Sequence, residues 1–206
     1  MKVMMINGSP HALGCTYTAL SEIAAELEKQ GIESEIIHIG RETIVGCMAC
    51  GYCRTHDGCA YDDVVNKLAN RLAEADGLIF GSPVYYAGLS GQLKCFMDRL
   101  FYSQGRKIAY KPAAAVVSSR RAGCLPAFDE INKYFMINRM PVITSQYWNQ
   151  VYGHSADDVR RDDEGLQTMR TLARNMAWLL KCIEAGKQAG IDLPEREKVV
   201  RTNFIR

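Results

Sequence analysis

The chain has 206 residues, enough for one well-buried core and too few for two ordinary domains, and no linker-like stretch interrupts it, so residues 1–206 are expected to form one domain. Hydrophobic residues make up 48% and charged residues 23%, which excludes a disordered or collagen-like chain, and no apolar run approaches the ~20 residues of a membrane helix. The net charge of +2 is dispersed without a basic block, so neither nucleic acid nor a membrane is an expected partner.

Short β-rich runs alternate with amphipathic helical patterns, as a parallel sheet covered by helices requires. Lys2 to Ile6 predicts the first strand; its apolar run is too short for the core of a secretory signal, so a cytoplasmic protein is expected. Leu20, Ile23, Ala24 and Leu27 recur at helical spacing, and Gly31 supplies a helix stop. Glu35 to Ile39 predicts the second strand. A cysteine-rich loop follows, then a helix capped by Asp62 that carries Val64, Val65, Leu68 and Leu72. After the Asp76-Gly77 turn, Leu78 to Phe80 predicts a third, fully apolar strand, followed by a helix through Leu93, Phe96, Met97 and Leu100. Ala113 to Val117 predicts the fourth strand, Ala127 to Phe135 a helix, Val142 to Thr144 the fifth strand, and Leu166 to Leu180 a long last helix. Because crossovers in parallel sheets are right-handed, the expected fold is a flavodoxin-like three-layer α/β sandwich with strand order 2-1-3-4-5.

In such a sheet the loops after the first four strands share one carboxyl edge, where ligands bind. The loop Gly8 to Thr16 opens a helix, and helix N-terminal amides with Ser and Thr hydroxyls receive a phosphate well. It has neither the Gly-Lys-Ser/Thr of a nucleoside-triphosphate loop nor a Gly-x-Gly-x-x-Gly fingerprint. A capped strand-to-helix turn alone would produce the same pattern. Gly81 to Tyr86 offers amides and flat side chains for an aromatic ring, and Ser118 to Gly123 offers the paired guanidinium groups of Arg120 and Arg121. Packing explains the tyrosines equally well and solvation the arginines, but three such loops at one edge are hard to explain so. Trp148 and Asn149, after the expected fifth strand, are placed at the same edge, lining an acceptor pocket or an oligomer contact, with core packing of Trp148 as the alternative.

Gly8-Ser9-Pro10 with Gly14 and Thr16, then Gly81-Ser82-Pro83-Val84-Tyr85-Tyr86, then Leu89-Ser90-Gly91-Gln92-Leu93-Lys94 leading to Asp98-Arg99, resembles the NADPH-dependent FMN reductase group of flavodoxin-like proteins. Within it, Cys47-x2-Cys50-x2-Cys53-x5-Cys59 resembles the iron–sulfur flavoproteins, whose compact motif holds a 4Fe–4S cluster beside FMN. The resemblance implies that Ser9, His11, Cys15 and Thr16 bind the FMN phosphate, that Pro83, Val84, Tyr85 and Tyr86 flank the isoalloxazine, and that Ser118, Arg120 and Arg121 meet its pyrimidine side. His11 and Cys15 depart from the Arg and Asn usual there. It further implies NAD(P)H or a reduced carrier such as ferredoxin as donor and a small acceptor such as a quinone, a flavin or an oxygen species. Tyr85, Arg120 and Arg121 would act at the flavin, in a homodimer or homotetramer. A non-enzymatic flavodoxin-like carrier is the alternative, although such carriers are typically very acidic. A metal-binding module without flavin is a third.

Eight cysteines would suit the disulfides of a small secreted protein, but this chain is not small and is not expected to be secreted, and four of the eight fall within thirteen residues, which points to a redox or metal role for those four. Three thiolates at three-residue intervals can face one centre and a fourth can close the cage, so iron–sulfur, zinc and free thiols stay open. Cys95, Cys124 and Cys182 fall in or beside helical patterns and are expected in the core. His56 is expected to be a solvated loop residue, while His38 and His154 have no distinguishing context.

Overall fold

The computed structural model describes residues 1–202 and Phe204. Five strands, β1 (Lys2–Asn7), β2 (Glu33–His38), β3 (Gly77–Pro83), β4 (Ala113–Ser119) and β5 (Gln150–Tyr152), form one sheet in the order β2-β1-β3-β4-β5, and every adjacent pair is parallel. Six helices cover it: α1 (Cys15–Lys29), α2 (Val64–Glu74), α3 (Gly91–Ile108), α4 (Cys124–Ile137), α5 (Ala156–Arg160) and α6 (Asp163–Gln188).

The strands are apolar throughout because both faces are covered, and the period-two alternation of side chains divides them between two cores. Met4, Ile6, Leu78, Phe80, Ala113, Ala115 and Val117 point to the layer of α2, α3 and α4. Val3, Met5, Ile79, Ala114 and Val116 point to the layer of α1 and α6. Phe80 is fully buried and meets Phe101 and Phe135 at ring-centroid distances of 5.7 and 5.6 Å, tilted as aromatic quadrupoles prefer. Where α1 ends, Gly31 adopts φ 74°; its N–H bonds the Glu28 carbonyl and that of Ile32 bonds Leu27, the double closure that favours glycine there.

Three expectations need correction. The cap of α2 is Asp63, not Asp62: its carboxylate accepts from the Val65 N–H at 3.0 Å. The fifth strand lies eight residues downstream of the expected Val142 to Thr144. Val142 makes only a single bridge to Ala113; the chain then loops out and rejoins the sheet at Gln150. Buried Asn149 holds that loop, accepting from Ser145 Oγ at 2.8 Å and donating to the Ile143 carbonyl at 3.3 Å. Trp148 and Asn149 therefore precede the strand instead of following it. Finally, Cys182 is exposed on α6, whereas Cys124 is buried and Cys95 partly so.

Candidate functional site

The strand ends bring three of the singled-out loops into direct contact. Gly8 N–H donates to the Gly81 carbonyl at 2.9 Å, and Val84 N–H donates to the Ser118 carbonyl at 3.0 Å, so each loop is pinned to the next across β1, β3 and β4. Ser90 tightens the seam: its hydroxyl donates to the Gly8 carbonyl at 2.7 Å and its N–H to Ser82 Oγ at 2.9 Å. Thr16, at the start of α1, and Ser118, at the end of β4, are both buried, and their hydroxyls lie 2.9 Å apart.

Within the first loop, Asn7 bridges both sides of the turn, accepting from the Ser9 N–H at 3.0 Å and donating to the Ala12 carbonyl at 3.1 Å. Ser9 Oγ accepts from the His11 N–H at 3.2 Å, while the His11 ring stands in solvent. The N-terminus of α1 has no side-chain cap and no acidic residue in its first turn, which leaves its positive dipole end uncompensated. Cys15 donates its thiol to the Gly153 carbonyl at 3.5 Å, and burial pushes that thiol up from its ordinary pKa.

Pro83 and Val84 are half-buried, and the chain then reverses at Tyr86 and Ala87, both left-handed at φ 47° and 58°, closed by a reciprocal pair of bonds between Tyr85 and Gly88. Tyr85 and Tyr86 are exposed on this turn. Arg120 and Arg121 are exposed as well and form no ion pair among the described residues. Arg120 lines an open groove with Tyr152, Gly153, His154 and Asp158. The Ser155 and Arg161 side chains hold the Asp158 carboxyl down at about 2.

The loop after β2 forms a second site. Ala49 at φ 52° and Gly51 at φ 77° turn the chain on both sides of Cys50, a single 3-10 turn spans Tyr52–Arg54, and Cys47, Cys50, Cys53 and Cys59 all line one cavity with Tyr61 and Arg99. Among the described residues, no three His, Cys, Asp or Glu side chains converge tightly enough to hold a single metal ion. Asn66 of α2 pins the loop's return, accepting from the Cys59 N–H and donating to the Cys59 carbonyl, both at 2.8 Å. His56 is exposed and stacks on Tyr52 with ring centroids 3.9 Å apart.

Sequence reasoning did not single out several residues that shape these sites. His38 Nε2 lies 2.7 Å from the Ser9 carbonyl, and Gly40 approaches so closely that a Cβ there would sit 1.9 Å from the same oxygen. Asn66 carries no local motif, and Ser90 enters only as part of the Leu89 to Lys94 stretch of the family resemblance, with no role of its own. Arg99 does leave a trace, a charge at helical spacing from Phe96 on an otherwise apolar face.

A parallel sheet in the order 2-1-3-4-5 with glycine- and serine-rich loops at its carboxyl edge defines a flavodoxin-like α/β protein. Residues 1–154 match the family described as NADPH-dependent FMN reductase, and the chain belongs to that family. An iron–sulfur flavoprotein of Methanocaldococcus jannaschii is 34% identical over 195 residues, covering 89% of this chain and 100% of that protein. An iron–sulfur flavoprotein of Methanosarcina thermophila is 29% identical over 192 residues, covering 91% and 99%. Among solved structures, a flavodoxin from the domain Archaea superposes with a TM-score of 0.61 at 17% identity, covering 88% of this chain and 99% of that one.

Proposed function

We propose that the chain is an FMN-dependent oxidoreductase that accepts electrons from NAD(P)H or a reduced carrier such as ferredoxin and passes them to a small acceptor such as a quinone, a flavin or an oxygen species, with residues 1–206 acting as one FMN-binding domain. The observation that carries this reading is the stitching of the three loops, Gly8 to Gly81, Val84 to Ser118 and Thr16 to Ser118, into one edge facing an uncapped helix start. That donor set fits a flavin mononucleotide. Ser9, His11, Cys15 and Thr16 with the first amides of α1 would receive the phosphate, where hydroxyls and a positive dipole end favour an anion. Pro83, Val84, Tyr85 and Tyr86 would flank the ring, with Tyr85 and Tyr86 free to meet it or a partner subunit. Ser118, Arg120 and Arg121 would meet the pyrimidine side, where unpaired guanidinium charge favours an anionic reduced ring. Bound FMN would supply the two-electron redox chemistry; the chain binds and orients it.

Cys47, Cys50, Cys53 and Cys59 would hold a 4Fe–4S cluster. Four thiols around one cavity form an all-sulfur donor set, and the relatives named iron–sulfur flavoproteins support the assignment. The fully exposed Tyr86 and the exposed Met136 and Ile137 support a homodimer or homotetramer.

The test is the absorption spectrum and released cofactor of anaerobically purified protein, followed by NAD(P)H oxidation with an added quinone. FMN with acceptor-dependent turnover is expected. Released FAD or a colourless protein overturns the flavin reading, and bound FMN without turnover for any added donor leaves a non-enzymatic carrier.

A further inference from the structure

We propose that Arg99 is a positioning residue for the cysteine cavity, holding Cys59 through an N–H···S bond that raises the reduction potential of the cluster there. This rests on the iron–sulfur reading above. Arg99 lies on α3 with its side chain 1% exposed, the largest side chain buried so completely among the described residues. A guanidinium has five N–H donors, and here all five are used. Nε donates to Cys59 Sγ at 3.2 Å. One terminal nitrogen serves the Val45 carbonyl at 3.4 Å and Asp63 Oδ2; the other serves the Tyr61 carbonyl at 3.2 Å and Asp63 Oδ1 at 2.9 Å. The Tyr61 ring lies 5.0 Å from the guanidinium carbon. One side chain thus ties the start of the loop, two residues before Cys47, to its end at Cys59, Tyr61 and Asp63.

The arrangement goes beyond what loop closure needs. Carbonyls and Asp63 satisfy four of the donors, yet the fifth is aimed at sulfur, a weak acceptor while protonated and a good one as a metal-bound thiolate. An N–H bond to a ligating sulfur draws electron density from it and stabilises the more negative, reduced cluster, which raises the potential. Asp63 is the one carboxylate bonded to the guanidinium, and its side chain is 24% exposed, so solvent weakens its offset of the buried guanidinium charge without removing it.

The experiment uses the full chain prepared and reconstituted without oxygen. Iron and flavin per chain are counted, and the one-electron potential of the cluster is read by redox titration with electron paramagnetic resonance. Arg99→Gln is expected to retain FMN and lower the potential. Arg99→Lys keeps the charge but cannot span the five partners, and is expected to fall between it and the parent. Asp63→Asn keeps a good cap for α2 while removing the offsetting charge, and is expected to raise the potential with iron unchanged; this variant decides the matter if Arg99→Gln does not fold. Equal potentials in Arg99→Gln and the parent, or an unchanged or lower potential in Asp63→Asn, overturn the inference. A parent that takes up no iron overturns the cluster reading instead.

Discussion

Glu26 shows how one buried carboxylate couples this fold to pH. It lies on the inner face of α1 with its side chain 4% exposed, and it accepts from Arg174 Nε of α6 at 2.6 Å and from Lys29 Nζ at 3.2 Å. The Arg174 bond, against burial and with help from Lys29, holds its carboxyl below the ordinary value of 4.5. Its contribution is therefore fully present above about pH 4.5 and lost as pH falls through the lower folded value. Since Arg174 is largely exposed, Glu26→Gln is expected to cost only about 1 kcal/mol at pH 7 and progressively less below pH 4, which urea unfolding at the two pH values measures. The same scale holds the proposed phosphate loop. Replacing Ser9 and Thr16 by Ala removes two hydroxyls and is expected to weaken FMN binding roughly tenfold or more, read by flavin fluorescence titration; unchanged affinity would move the phosphate elsewhere. Ser9, Thr16 and Ser118 were legible in the sequence because a hydroxyl at a strand end or helix start is a local signal. His38 and Gly40 were not, because their roles exist only once β2 lies beside β1.

Elements whose chemistry is local were read from the sequence nearly to their ends, and those defined by tertiary pairing were not. β3 and β4 announce themselves as unbroken apolar runs, and α6 as a long periodic stripe. β5 is three residues with one fully buried apolar side chain, Val151, and its pairing is set by Asn149 and the end of β4, so the β-branched run at Val142 outweighed it. At the joint between β2 and the loop after β1, Gly40→Ala would press a methyl group into the Ser9 carbonyl and part the His38 contact. A loss of roughly 1–3 kcal/mol together with loss of bound flavin is expected. Gly91→Ala is the matching control. A Cβ there meets nothing within 4 Å, and alanine in the first turn of α3 is expected to stabilise by about 0.4–1 kcal/mol with flavin retained. Chemical denaturation and the flavin spectrum of both variants check the pair.

At the scale of the whole molecule, the two candidate sites differ in how they touch the cores. The proposed flavin edge is built on the ends of β1, β3 and β4, the strands that carry both hydrophobic layers, whereas the loop after β2 adds to the core only Ile39, beside the strand end, and the partly buried Ile44. Ligand that binds only the folded state stabilises by mass action, about 2.7 kcal/mol at a hundredfold excess over Kd, and for a chain this long each kcal/mol moves Tm by roughly 2–4 °C. Adding FMN is therefore expected to raise Tm by several degrees. Chelating the cluster from flavin-loaded protein is expected to lower Tm by less than that and to speed amide exchange between residues 45 and 62, leaving protection of β1, β3 and β4 intact. A structural zinc ion predicts otherwise. Its removal would withdraw binding energy that serves as folding energy, so global loss of protection after chelation, with zinc and not iron in the chelate, would replace the redox role of the four thiols by a structural one.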